Sequence, residues 1–114
     1  MVIALALYAA APGADAAKAF IDGEELLRIC RAAADSEFVR ATDCLGYITG
    51  AWDAHEAFVS LNITPRQWCF PKEGVSNREA ARVVLAYLEA NPGVLEESAA
   101  LLSTVAFFEA YRCK

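Results

Sequence analysis

Apolar residues recur at threes and fours along most of the chain, and no stretch alternates with a period of two. That pattern predicts helices rather than strands. Asp22-Gly23-Glu24-Glu25 has the form of a capping box, with Asp22 as N-cap and Glu25 three residues on. Leu26, Ile29, Cys30 and Ala33 follow on one face of a first helix, and Asp35-Ser36-Glu37 closes it or opens a loop. A second helix is predicted over 42–61, where Leu45, Ile48, Trp52, His55 and Val59 share a face. Gly46 and Gly50 lie one turn apart within it. Each weakens a helix by roughly 1 kcal/mol against Ala, so another backbone is expected to approach closely there. Residues 62–74 hold Pro65, Pro71 and Gly74 and read as a loop. Ser76-Asn77-Arg78-Glu79 is a second capping box, with Val75 placed as staple against Ala80. Ala80, Val83, Val84, Tyr87 and Leu88 mark the apolar face of a third helix, which Asn91-Pro92-Gly93 ends. Pro92, capped by Asn91, is expected to start a fourth, carried by Leu95, Ala99, Leu102 and Ala106 toward Cys113. The fold class is therefore all-α: a small four-helix antiparallel bundle.

Ahead of the first helix the pattern changes. Residues 2–11 form an unbroken apolar run, followed by Pro12, Gly13 and Ala14-Asp15-Ala16. A short apolar stretch, a helix-breaking pair and A-x-A is the layout of a secretory signal. The run is too short to span a bilayer. No Lys or Arg precedes it, so a buried N-terminal helix is the alternative. The expected division is 1–16 as signal peptide and 17–114 as a single helical domain, exported to the periplasm and without a membrane segment.

Composition narrows the function classes. The chain has 114 residues, 57 % of them apolar, which excludes intrinsic disorder. Alanine accounts for 24 of them, so much of that content is small and the core is thin. The net charge is −5 with no basic run, which argues against nucleic acid and anionic membranes as partners. The four cysteines contain no C-x-x-C pair, so zinc and thioredoxin-type sites are not expected. In an exported chain they read as two disulfides. Cys30 falls late in the first helix and Cys44 early in the second; Cys69 lies in the long loop and Cys113 at the end of the fourth helix. Of the three possible pairings, those positions favour Cys30–Cys44 and Cys69–Cys113. Chain-entropy arithmetic gives these about 3 and about 4 kcal/mol.

Candidate chemistry is sparse. His55 is the single histidine, and beside Glu56 it is expected at the surface. A Cys–His dyad would need a free thiolate, and the cysteines are better used as crosslinks. Glu24-Glu25 and Glu96-Glu97 are placed in first helical turns, where they complement the macrodipole. There is no phosphate-cradling Gly-rich loop and no G-x-S-x-G. No catalytic residue, metal ligand or cofactor is predicted. The loop is different: Arg66, Trp68, Phe70 and Lys72 stand between Pro65 and Pro71 or just past it, and Trp and Arg are favoured interface anchors. The equal alternative is that Trp68 folds back over the core beside a Cys69 disulfide. The turn 91–94 is a second candidate contact.

Several segments together carry a family resemblance. They are Cys44-Leu45-Gly46-Tyr47-Ile48-Thr49-Gly50, Cys69-Phe70-Pro71, Gly74-Val75-Ser76, Tyr87-Leu88 followed by Asn91-Pro92, and a cysteine near the end. In order and spacing the chain resembles the Rap/Tai family of type VI secretion immunity proteins, over about 23–113. It departs from that pattern at Ala110-Tyr111-Arg112-Cys113, where the family often has Pro before the cysteine. The resemblance implies a small exported helical protein held by disulfides, often a homodimer, that binds a cognate peptidoglycan amidase and covers its active-site groove. An acidic chain would be steered toward a basic partner. Two other readings stand beside it: a periplasmic chaperone of the acid-stress type, and a structural or sensory envelope module.

Overall fold

The structure, a computed structural model, describes residues 20–34 and 38–114. The expected signal segment 1–16 and Asp35-Ser36-Glu37 lie outside the described residues. Among the described residues four helices follow in order: α1 (Gly23–Ala34), α2 (Phe38–Ser60), α3 (Asn77–Ala90) and α4 (Ala99–Ala110), with a 3-10 turn at Pro92–Val94. Each helix packs against the other three. Among the described residues there is no strand, only an isolated bridge between Asp22 and Ser98.

The N-cap half of each predicted capping box forms, while the Glu25 and Glu79 side chains engage Arg28 and Tyr111 instead of reaching back. The Glu25 N–H donates to Asp22 Oδ1 at 3.0 Å, and the Glu79 N–H to Ser76 Oγ at 3.0 Å. α2 begins at Phe38, ahead of the expected start at 42.

The fourth helix differs from the expectation. It starts at Ala99, where Ser98 Oγ accepts the Leu101 N–H at 2.9 Å. Asn91 does not cap Pro92; its side-chain amide donates to Tyr87 O at 2.8 Å instead. The reason lies at the start of α1. The Gly23 N–H donates to Glu97 O at 3.0 Å and the Glu24 N–H to Leu95 O at 3.1 Å, while Ala99 N–H donates to Ile21 O at 3.1 Å. Segment 95–98 thus satisfies first-turn donors of α1 that would otherwise lack partners. Glu96 and Glu97 consequently precede α4 rather than lie in its first turn.

The glycine expectation is also corrected. Nothing lies within 4 Å of a Cβ built on Gly46 or Gly50, and both are on the exposed side of α2. The close approach is at Gly23, where a Cβ would stand 2.5 Å from Leu102 Cδ1 and 3.0 Å from Leu95 O.

The core is built from Leu26, Ile48, Val84, Leu88, Leu102 and Phe107, all fully buried. α4 is apolar on nearly every face, with Ala99, Leu102, Ser103, Val105, Ala106 and Phe107 buried. A helix of that kind belongs among its neighbours rather than on the surface. The disulfides are Cys30–Cys44 and Cys69–Cys113, each with Cα atoms 5.0 Å apart, and no cysteine is free. The first fastens the end of α1 to the start of α2 inside the core. The second ties loop 61–76 to the segment beyond α4.

Candidate functional site: loop 61–76

The loop begins where α2 stops. Asn62 takes a left-handed backbone conformation (φ 58°), which its short polar side chain tolerates. Phe58 O then accepts the Ile63 N–H at 2.9 Å, closing the helix end. Residues 57–65 contain no charged side chain, and Phe58, Leu61 and Ile63 are exposed on them.

One turn back on α2, His55 and Glu56 hold the next part of the loop. His55 is 8 % exposed, not at the surface as its neighbour Glu56 suggested. Its register explains this: His55 follows Trp52 by three residues and Ile48 by seven, on the buried face of α2. Its Nε2 lies 3.0 Å from the Gln67 main-chain N–H, and its Nδ1 lies 3.1 Å from Glu56 Oε2. Because Nε2 accepts from an amide, the ring is the neutral tautomer with its proton on Nδ1, donated to Glu56. Burial pushes the imidazole pKa down, against the pull of the Glu56 carboxylate.

Glu56 also receives Arg66 in a two-pronged contact, Nη1 to Oε2 at 2.8 Å and Nη2 to Oε1 at 3.0 Å. The Arg66 hydrogen bonds hold the carboxyl below the usual carboxylate range. Three consecutive residues are thereby fixed: Arg66 by its side chain, Gln67 by its amide and Trp68 by its ring.

Trp68 is 1 % exposed. It stacks on His55, with ring centres 3.7 Å apart and planes 17° from parallel. Trp52 and Phe107 meet it at 5.7 and 5.3 Å. Trp68 therefore folds back over the core, and the expectation that it faces a partner is replaced by that role. The cause is the Cys69 anchor beside it: the Cys69 N–H donates to Tyr111 O at 2.9 Å, and its sulfur is bonded to Cys113. Tyr111 is a member of the site that the sequence reading did not single out. Its phenol reaches Glu79 of α3 at 3.3 Å, and burial next to that carboxylate pushes its pKa up to about 12.

Beyond Cys69 the loop turns outward. Phe70 is 56 % exposed, with its inner face against Trp52 at 4.7 Å. The Gly74 N–H donates to Pro71 O at 2.9 Å, and Gly74 has φ 83°, a conformation that glycine adopts without strain. This turn leaves Lys72 and Glu73 exposed. A cleft of about 90 Å³ lies between α2 and the start of α3, lined by Thr49, Trp52, Asp53, Phe70, Ser76 and Asn77 among others. Of the four predicted contact residues, Arg66, Phe70 and Lys72 are therefore on the surface and Trp68 supports them from below.

The other motif residues mostly serve the frame. Cys44 and Leu88 are buried, Tyr47 and Tyr87 are half-buried against the core, and Leu45 and Pro71 are partly covered. Gly46, Gly50 and Pro92 are exposed. Among the described residues no group of His, Cys, Asp and Glu could hold a metal ion. No described helix is long and apolar enough to cross a membrane. Residues 22–113 match the family profile described as Rap1a immunity proteins. No curated protein and no solved structure matches the chain.

Proposed function

The chain belongs to the Rap1a immunity protein family, which implies binding of a cognate effector, and from that premise we propose what the effector is and how it is held. The effector is a peptidoglycan amidase delivered by type VI secretion, and the protein acts in the periplasm by occlusion, without catalysis of its own. Loop 61–76 enters or covers the amidase groove, with Arg66, Phe70 and Lys72 as its contacts.

The observation that carries this reading is the way the loop is held. A protruding inhibitor segment must be rigid, because ordering it on binding would cost affinity. Here the loop is fastened by an ion pair, an amide–imidazole hydrogen bond, a buried indole and a disulfide within four consecutive residues. The same anchors leave an aromatic and a cationic side chain outside. Two disulfides fit an oxidising compartment such as the periplasm. A homodimer is part of the proposal: Leu61 and Ile63 are 66 % and 61 % exposed on an uncharged stretch, and a second copy would cover them.

The experiment is to titrate the purified protein into a peptidoglycan amidase of the type VI effector class and to follow muropeptide cleavage. Stoichiometric inhibition is expected. Full amidase activity at saturating protein would overturn the reading, and capture of many unfolded clients instead would favour a chaperone.

A further inference from the structure

We propose that His55 is the positioning residue of the binding loop: its neutral imidazole sets the path of Gln67 and Trp68, and protonation of this one ring releases them. The inference rests on the reading of loop 61–76 as the binding surface, and it adds a condition under which that surface is ordered.

The geometry requires the neutral ring. Nε2 accepts the main-chain N–H of Gln67 at 3.0 Å. A proton on Nε2 would place two N–H groups head to head and leave the amide without its acceptor. The next residue stacks its indole on the same ring at 3.7 Å, so moving the imidazole also moves the floor beneath Trp68. The ring is held on both sides, by Glu56 at Nδ1 and by Gln67 at Nε2, so it cannot rotate to offer another acceptor without breaking both contacts.

Two charged groups act on it. Glu56, on its own helix, favours the protonated form, and Arg66, from the loop, opposes it. Glu56 is already engaged by both Arg66 nitrogens, which limits the charge it offers the ring. From α4, the nearest ring partner of the stack is the apolar Phe107. Burial outweighs the carboxylate, and the pKa falls below the ordinary 6.5. The linkage then has one sign. The unfolded or released loop binds the proton more tightly, so ordering is complete above pH 6.5 and is lost as the pH falls below it.

The test uses the isolated protein. The chain has one histidine, so NMR shows one imidazole to titrate. Hydrogen exchange reports the Gln67 amide in the same samples. The expected result is a midpoint below 6.5, with Gln67 protection falling in step by up to about tenfold per pH unit while amides of α3 keep theirs. In His55→Gln the loop's pH profile is expected to be flat. A midpoint at or above 6.5, a Gln67 amide indifferent to the titration, or equal loss of protection across α3 would each overturn the proposal. The unaltered protein decides even where the variant folds poorly. No amidase enters these readouts, so they stand or fall apart from the amidase reading.

Discussion

The imidazole of His55 lies flat against the indole of Trp68, ring centres 3.7 Å apart, and the neighbouring Gln67 amide donates to the same imidazole. A helix residue thus fixes both the backbone and the side chain of the loop opposite it.

Trp68 is expected to govern stability rather than surface chemistry. Truncation to Ala should cost about 3–5 kcal/mol, the range for a large aromatic removed from a core. Trp68→Phe should cost less, because the indole N–H of Trp68 has no hydrogen-bond partner to lose. Urea denaturation of the three proteins, compared by midpoint and slope, checks the order.

The two disulfides should open in sequence. Cys30 and Cys44 are each 3 % exposed, whereas Cys113 is exposed at the chain's far end. Limited reduction followed by alkylation and mass spectrometry should label Cys69 and Cys113 first. A Cys69→Ser, Cys113→Ser protein should lose about 4 kcal/mol by the loop-entropy estimate, and the corresponding pair at 30 and 44 about 3 kcal/mol.

Glycine substitutions should diverge by site. Gly46→Ala and Gly50→Ala add a methyl group into open space on a helix, and each should stabilise by up to about 1 kcal/mol. Gly23→Ala meets Leu102 and the Leu95 carbonyl, and should destabilise by about 1–3 kcal/mol. Thermal melts of the single variants distinguish these signs.

At alkaline pH the sign comes from Tyr111. Its folded pKa is raised to about 12 from 10.0, so the stability it contributes is complete below pH 10 and is lost as the pH rises toward 12. Tyr111→Phe should remove part of that loss while costing roughly 0.5–1.5 kcal/mol near neutrality for the hydrogen bond to Glu79. Burial shifts Tyr47 and Tyr87 in the same direction, so they add to that loss. Melting temperatures between pH 8 and about 11 check this.

Much of the fold was legible because local signals agreed with one another. Asp22 and Ser76 are caps with acidic residues three positions on, and both helices start there. Among three possible cysteine pairings, the expected meeting of the first helix's end with the second's start favoured Cys30–Cys44, and the structure has that pair together with Cys69–Cys113. The fourth helix was misplaced because Asn91-Pro92 is a sound local start signal, yet Leu95 and Glu97 are needed by the first turn of α1, a partner more than sixty residues away. The glycines misled for a related reason: spacing shows where a helix is weak, not which side of it faces water.

The site was half legible. Proline and aromatic content marked the loop, but whether Trp68 points in or out depends on His55. That residue was in the buried register of α2, with Ile48 and Trp52, and its neighbour Glu56 argued the other way. The carboxylate binds Arg66 with both oxygens and still accepts from His55 Nδ1, so Glu56 holds the ring by its edge while the ring itself lies inward.

The central claim, that the outer face of this loop is the effector-binding surface, is tested most directly by amidase inhibition with a Phe70→Ala, Lys72→Glu double variant. Both side chains are exposed, and only Phe70 touches the core, through Trp52, so circular dichroism should match the unaltered protein and the melting temperature should fall only slightly. The account predicts inhibition weakened by about a hundredfold, the loss of two contacts of about 1.4 kcal/mol each. Unchanged inhibition by a correctly folded double variant would contradict it.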